Sequence, residues 1–427
     1  MALNPMTWTI GCLDGFGSSG YPGRMSAPPS AAKPRFASRT DALTPFLAME
    51  ILERAVELEG AGHSIAHLEV GEPEFAPPPA AVRACRDALA ADDTGYTDSR
   101  GLFALREAIA ANLAARFGRS VPAERVIVTQ GTSNAMTLAF ACLVEPGDEV
   151  LIPTPHYPCY PNFVRVMGAQ PVFVPTDAAS GWRIDPDRVR AAITPRTRAI
   201  VVGSPANPTG AVQPREVMAA LASLGPPLVS DEIYDGLLYG GAKNTSALEV
   251  SDEAYVLDGF SKRYAMTGFR LGWLVAPANA MRRLQTLQQN LFISASSFVQ
   301  RAGIAALADG AAMAEGMRRA CETRRELLVA GLRRLGFGIE HDPQGAFYVL
   351  ADARAFGPDS RALAFRLLEE AGVGTTPGID FGEAAEGRRR FCYARSRATI
   401  EMALARLEPV LARYSAASRS GSGGGRR

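Results

Sequence analysis

The residues of this chain whose types could perform chemistry together follow two successive apolar runs. Asp231 and Tyr234 come after the first run, Lys262 after the second, and Arg270 stands eight positions beyond the lysine (270 − 262 = 8). A lysine that forms a Schiff base needs a phosphate-anchored cofactor, an acidic partner for a ring nitrogen and surroundings that remove its own charge. Burial and a neighbouring cation such as Arg270 both lower the pKa of a lysine. The four residues therefore indicate pyridoxal phosphate as the cofactor.

Each of these residues also has an ordinary structural explanation. Asp231 alone could cap a loop at a strand end, and Lys262 and Arg270 could lie on the surface. In the functional interpretation, the Asp231 carboxylate keeps a pyridine nitrogen protonated, and Tyr234 donates a hydrogen bond to the phenolate oxygen of the ring. Asn207, which opens an Asn-Pro-Thr-Gly sequence, could make a second such contact or could simply form a turn.

The turn Gly131-Thr132-Ser133 is a second candidate site, because it joins a β-branched run to a helical pattern. Exposed backbone N–H groups and the positive end of a helix dipole suit a phosphate at such a turn. The alternative is a plain helix N-cap formed by Thr132 or Ser133.

These candidate residues depend on a series of strand-like runs for their positions. The runs cover residues 126–129, 149–152, 171–174, 199–202, 227–230, 254–257 and 271–276. Continuous Val, Ile and Leu without alternation is typical of strands that are covered on both faces. The spacing leaves room for crossover helices, so we predict a mostly parallel sheet with right-handed connections. Gly131, Asn207, Asp231 and Lys262 each follow a strand, at the edge of the sheet where ligands collect.

A smaller α+β domain is predicted from the segments that flank this series. Helical patterns cover about 45–60, 312–335, 360–371 and 399–414, and a long helix begins near residue 278. Strand patterns cover 65–70, 345–350 and 390–394. We assign residues 71–310 to a large cofactor-binding domain, and residues 39–70 with 311–414 to the small domain. Residues 1–38 are predicted to be a disordered leader, with Met25 as an alternative true start, and residues 415–427 are predicted to be a disordered tail.

Bulk properties restrict the class of protein. The net charge of +1 gives no electrostatic reason to expect nucleic acid or an anionic membrane as a partner. No apolar run reaches the roughly 18 residues that span a bilayer. The six cysteines are scattered without a C-x-x-C pair, and His63 and His67 have no third ligand nearby, so we expect neither a disulfide framework nor a metal site. These features favour a cytoplasmic enzyme.

The fourteen positions from Gly259 to Gly272 resemble the lysine signature of the class I and II pyridoxal-phosphate-dependent aminotransferases, and the chain from about Thr40 to Leu411 resembles this family. The resemblance implies an α/β protein of fold type I, with a mostly parallel seven-stranded sheet between helices in the large domain. It also implies a homodimer with shared active sites. The expected reaction moves an amino group from an L-amino acid to a 2-oxo acid.

The resemblance also implies residue roles. Lys262 matches the lysine of the internal aldimine, Asp231 the pyridinium partner, and Asn207 and Tyr234 the hydrogen-bond donors to the phenolate oxygen. The remaining cofactor-binding residues would be the phosphate group's ligands Gly131, Thr132, Ser133, Ser261 and Arg270, the stacking residue Tyr157, and Tyr96, which reaches the phosphate of the neighbouring subunit.

Substrate binding is implied for Gly71, Asn207 and Arg390. The backbone of Gly71 approaches the substrate carboxylate, and Arg390 binds it as a bidentate pair. Arg388, Arg389 and Arg395 lie in the same stretch. Ser133 stands where some aspartate-selective relatives carry a lysine, which weakens the case for a strict dicarboxylate enzyme.

Two other functions remain open at this stage. The same fold and cofactor residues also serve lyases, synthases and oxidases that act on amino acids. A non-catalytic regulator built on this fold would need a DNA-binding module, and the first 40 residues are too short and too poorly helical to provide one.

Overall fold

A computed structural model describes the backbone of residues 36–421 and the side chains of residues 36–414. The predicted leader therefore lies almost wholly outside the described residues. The helices are α1 (Leu47–Gly60), α2 (Pro79–Ala90), α3 (Phe103–Phe117), α4 (Thr132–Leu143), α5 (Cys159–Val166), α6 (Pro186–Ala192), α7 (Arg215–Ala222), α8 (Met281–Leu291), α9 (Ser297–Asp309), α10 (Ala311–Arg334), α11 (Ser360–Ala371) and α12 (Arg397–Gly421). The strands are β1 (Ala66–His67), β2 (Val126–Thr129), β3 (Glu149–Thr154), β4 (Gln170–Pro175), β5 (Thr197–Gly203), β6 (Leu228–Asp231), β7 (Tyr255–Gly259), β8 (Gly272–Val275), β9 (Tyr348–Asp352), β10 (Val373–Gly374), β11 (Thr376–Pro377) and β12 (Arg388–Cys392).

The largest sheet has seven strands in the order β2-β8-β7-β6-β5-β3-β4. Strand β8 runs antiparallel to both of its neighbours, and the other pairs are parallel. The prediction of a mostly parallel sheet is confirmed. The reversal at β8 brings the segment that follows Lys262 back beside the turn that precedes α4, since β8 pairs with both β7 and β2.

Apolar residues fill both faces of this sheet, which explains why its strands are not alternating. Val128 and Leu151 belong to one buried cluster, whereas their chain neighbours Ile127, Val150 and Ile152 belong to another. Successive side chains of a strand point to opposite faces, so a strand with helices on both sides must be apolar throughout.

A second group of elements packs around a separate cluster that includes Leu328, Phe347 and Phe391. Its antiparallel sheet has the order β11-β12-β9, and β1 pairs in parallel with β10. Helix α1 contacts α11, β10 and β11, so the beginning of the described chain packs against its last third.

Several predicted boundaries were wrong. The strand predicted at 65–70 is reduced to β1, and the strands predicted at 345–350 and 390–394 are β9 and β12 at slightly shifted bounds. The long helix expected after residue 278 is two helices, α8 and α9, because the chain turns at Ile293, whose φ is +66°. Helix α12 continues to Gly421, beyond the predicted start of the tail at 415, since no helix-breaking residue precedes that glycine after 415. Residues 422–427 lie outside the described part.

None of the helices among the described residues has the length and apolar composition that crossing a membrane requires. Within the same residues, no group of three or more His, Cys, Asp or Glu side chains is arranged to hold a metal ion.

Candidate active site

A cavity of about 240 Å³ lies at the carboxyl edge of the large sheet. The structure brings most of the predicted site residues together around it: Gly71, Thr132, Ser133, Tyr157, Asn207, Asp231, Tyr234, Ser261, Lys262, Arg270 and Arg390. Both groups of elements contribute to the lining, because residues from α1 and β12 face residues that follow the strands of the large sheet. Convergence of these polar groups in one concavity is typical of a ligand site.

The amine of Lys262 lies inside this cavity, three residues beyond the end of β7 at Gly259. Its Nζ donates to the carbonyl oxygen of Gly71 at 2.6 Å. Burial lowers the pKa of Lys262 to about 8, and the positive charges of Arg390 and Arg270 contribute in the same direction. A larger fraction of this amine is therefore neutral near pH 7 than for an exposed lysine, and the neutral form is the nucleophile.

Asp231 ends β6 and is buried. Burial raises the pKa of its carboxyl, and two hydrogen bonds act against this shift. The hydroxyl of Tyr160 donates to Oδ2 at 2.8 Å, and the backbone N–H of Ile233 donates to Oδ1 at 3.3 Å. These bonds fix the orientation of a carboxylate that can face a protonated ring nitrogen.

Tyr234 forms a hydroxyl–hydroxyl hydrogen bond of 2.9 Å with Tyr348. Tyr348 also packs against Gly71 so closely that a Cβ atom at residue 71 would lie 1.8 Å from the Tyr348 hydroxyl oxygen. Position 71 therefore requires glycine, since any side chain would displace Tyr348 and disturb Tyr234.

Arg390 lines the cavity, whereas Arg389 does not. Nη1 of Arg390 donates to Asn207 Oδ1 at 2.9 Å. Nη2 of Arg390 donates to Thr376 Oγ1 at 3.0 Å and to the carbonyl oxygen of Glu69. Arg389 is the preceding residue of β12 and points to the opposite face, where it donates to the carbonyl oxygen of Ser360. The alternation of the strand thus separates the two arginines.

The turn before α4 is positioned for an anion. Gly131 has a φ of +81°, and a Cβ there would lie 2.6 Å from Nη2 of Arg270. Neither Thr132 nor Ser133 caps the helix with its side chain, and both line the cavity. The hydroxyls, the helix N-terminus and the Arg270 guanidinium therefore face one region, a donor set that suits a phosphate group.

Tyr96 is the predicted site residue that the structure places away from the cavity. Its side chain is 85% exposed. The neighbouring Thr97 is fixed to this chain, because its backbone N–H donates to Ser294 Oγ at 3.5 Å and its Oγ1 accepts a bond of 3.0 Å from Gln300. The Tyr96 side chain is therefore exposed to solvent, while the hydrogen bonds of Thr97 fix the adjacent backbone.

Several residues of the lining were not predicted from the sequence, chiefly Tyr160, Tyr348, Phe46 and Met49. Tyr160 stands three residues after Tyr157 at the start of a helix, so helical spacing could have indicated it. No local signal identifies the other three, because folding alone brings their elements to the cavity.

The residues present fit pyridoxal phosphate. Lys262 would supply an amine for the aldehyde, Asp231 would supply a carboxylate for the pyridine nitrogen, and Tyr234 and Asn207 would supply polar groups in the same cavity. The turn at Gly131 and the Arg270 guanidinium would hold the phosphate group, and Tyr157 would offer an aromatic face to the ring. Because Gly131 has no side chain, the Arg270 guanidinium can lie directly against the turn.

Comparison with known proteins agrees with this geometry. The family model described as "Aminotransferase class I and II" matches residues 64–407. The chain belongs to the class I and II aminotransferases. This aminotransferase is 40% identical over 382 residues to the aspartate/prephenate aminotransferase of Thermus thermophilus, with 88% of this chain and 98% of the relative covered. It is 38% identical over 371 residues to the valine–pyruvate aminotransferase of Mycobacterium tuberculosis, with 85% and 95% covered.

The solved structure of the aspartate aminotransferase from Thermus thermophilus with maleate superposes on this aminotransferase with a TM-score of 0.84 at 40% identity, covering 88% of this chain and 100% of that one. The predicted family, the α/β fold and the pyridoxal-phosphate-dependent aminotransferase activity are thereby confirmed. The relatives bear names that refer to different amino acids, so similarity alone does not identify the amino donor.

Proposed function

We propose that Lys262 is the residue that binds the cofactor covalently and moves the substrate proton in this aminotransferase. The observation that carries the proposal is the half-buried Lys262, whose amine has a pKa lowered to about 8, in a cavity that also contains Asp231, Tyr234 and Arg390. Pyridoxal phosphate, when bound, withdraws electrons from the substrate Cα. Lys262 then acts as the general base that accepts the proton from that carbon.

The other residues bind and orient. Asp231, held by Tyr160, keeps a proton on the ring nitrogen, and Tyr234 and Asn207 hold the phenolate oxygen. Arg390 binds the α-carboxylate of the amino acid as a bidentate pair, and the backbone of Gly71 lies beside it. The amino acid leaves as a 2-oxo acid, and its amino group is transferred to a second 2-oxo acid, which becomes an amino acid.

Lys262→Ala tests the role of the lysine, and the exposed Lys243→Ala is its matched control. We expect the purified wild type and the control to show visible absorbance from covalently bound cofactor and to exchange the Cα proton of a bound amino acid with solvent. The Lys262 variant should lose both properties. Retention of the absorbance, or trapping of the cofactor by borohydride on another residue, would refute the assignment.

We also propose that the enzyme is a homodimer whose active sites are shared. Tyr96, Leu291 and Ile293 are exposed large apolar side chains, and the hydrogen bond from Thr97 to Ser294 places Tyr96 beside the segment that carries the other two. Such patches are typical of interfaces. In this arrangement Tyr96 of each subunit contacts the phosphate in the other. Mixing Tyr96→Ala with Lys262→Ala should then produce hybrid dimers with one intact site, and activity of the mixture above that of either variant is the expected result. Purely additive activity would contradict a shared site.

A cytoplasmic location is part of the same proposal. The described cysteines, Cys85, Cys142, Cys159, Cys321 and Cys392, are all free thiols, which suits a reducing compartment. Fractionation of cells that express the natural protein would test it, and recovery from an oxidising compartment would contradict it.

A further inference from the structure

We infer that the amino donor of this enzyme carries an uncharged, apolar side chain, because each positively charged feature that the described residues of one subunit place around the cavity is already engaged. The inference rests on the proposed function, in which Arg390 binds the α-carboxylate. It goes further because it names the chemistry of the side chain that the cavity accepts.

The cations that line the cavity among the described residues are Lys262, Arg270 and Arg390. Lys262 is committed to the cofactor, and Arg270 lies against the Gly131 turn, where the phosphate binds. Arg390 is held by neutral acceptors and is committed to the α-carboxylate. Among the described residues of one subunit, a second carboxylate on the donor therefore finds no unengaged cation in the cavity lining.

The N-terminus of α1 is another positive feature at the cavity, because Ala48 in its first turn lines the wall. This end already holds a carboxylate of the protein. The backbone N–H of Leu47 donates to Asp380 Oδ1 at 2.9 Å, and that of Ala48 donates to Asp380 Oδ2 at 3.3 Å. Since Asp380 is buried, its negative charge neutralises the helix end and disfavours a second anion beside it.

The rest of this wall is apolar. Phe46 and Met49 line the cavity from the start of α1, and Phe163 lines it from α5. The Phe46 ring meets the Tyr157 ring edge to face, with centroids 6.1 Å apart. A side chain that enters between α1 and Tyr157 therefore contacts hydrocarbon, which favours an apolar donor and leaves a carboxylate unpaired.

The test follows single turnovers of the holoenzyme, measured from the absorbance of the bound cofactor, with leucine, methionine, phenylalanine, aspartate and glutamate. We expect kcat/KM for the best apolar donor to exceed that for aspartate and glutamate by about 100-fold, because a buried, unpaired charge is strongly disfavoured. Equal or better reaction with aspartate or glutamate would overturn the inference. Absence of reaction with all five would instead overturn the proposed roles of Lys262 and Arg390, and the inference with them.

Asp380 variants test the physical cause. Asp380→Ala removes the carboxylate and frees the N–H groups of Leu47 and Ala48, so the preference for leucine over aspartate should shrink by about 10-fold. Asp380→Asn keeps a hydrogen-bond acceptor, which protects the fold, and should shift the ratio in the same direction by less. Asp359→Ala is the matched control, because Asp359 caps α11 through Ala362 at 2.8 Å and does not line the cavity. An unchanged ratio in both Asp380 variants, or an equal shift in the control, would overturn the assignment.

Discussion

The hydrogen bond from Tyr160 to Asp231 gives the sharpest quantitative prediction. Tyr160→Phe removes the donor to Asp231 Oδ2 and leaves the bond from Ile233 to Oδ1 in place. A hydrogen bond to a charged group contributes about 1.5–3 kcal/mol. Because one pKa unit corresponds to about 1.4 kcal/mol, the variant should raise the pKa of Asp231 by about 1–2 units. The direction adds to the rise that burial already causes.

The assay is titration of the cofactor-free protein with pyridoxal phosphate, followed by absorbance at several pH values. Affinity requires the charged form of Asp231, so it is present above the pKa of that carboxyl and is lost as the pH falls through it. A raised pKa therefore moves this loss of affinity to higher pH, by about 1–2 pH units.

Tyr255→Phe is the control for this experiment. Tyr255 is a buried tyrosine on β7 whose hydroxyl interacts with Cys142 and not with Asp231. It should retain the wild-type pH profile. An unchanged profile for Tyr160→Phe, or an equal shift for Tyr255→Phe, would refute the reasoning.

Three further predictions concern single residues. When pyridoxal phosphate is added to the cofactor-free protein, the rate of Schiff-base formation, followed by stopped-flow absorbance, should rise with pH through a midpoint near 8. The reason is that burial lowers the pKa of Lys262 to about 8. A midpoint near 10.5 would contradict this prediction. Gly71→Ala should lower the free energy of unfolding by about 2–4 kcal/mol, because the new Cβ collides with Tyr348 and breaks its buried hydrogen bond with Tyr234. An unchanged midpoint of denaturant unfolding would exclude this collision. In steady-state kinetics, Arg390→Met should raise KM for the amino acid about 100-fold, while Arg389→Met should leave it near the wild-type value. Equal effects of the two substitutions would show that the two arginines do not differ in this role.

The sheet could be predicted because its strands are apolar on both faces, and the candidate site because Asp231, Asn207 and Lys262 each follow such a strand. These signals are local in the sequence. The position of Gly71 beside Tyr348 was not predictable in this way, since a glycine reveals nothing about the side chain that fills its space. The break between α8 and α9 was also not predicted, because Ile293 adopts a positive φ, which is rare for a β-branched residue and is not indicated by the residue type.

The distinction between Arg389 and Arg390 illustrates an intermediate case. Strand alternation predicts that the two side chains point to opposite faces, but the sequence does not say which face meets the cavity. That choice depends on the pairing of β12 with β11 and β9, which places Arg390 opposite Thr376 and Leu350. A one-residue slip in this register would exchange the two arginines.

The contacts that close the substrate side of the cavity join distant parts of the chain. Asp380 accepts from Leu47 across 333 positions, and Arg390 donates to the Glu69 carbonyl across 321. A ribosome adding roughly 5–20 residues per second needs about 20–70 s to make the second partner after the first. During that interval the nascent chain carries Asp231, then Lys262, but no Arg390. A product released between residues 271 and 376 therefore contains Asp231, Lys262 and Arg270, which are proposed to hold the cofactor, and lacks Arg390, which is proposed to hold the carboxylate of the amino acid.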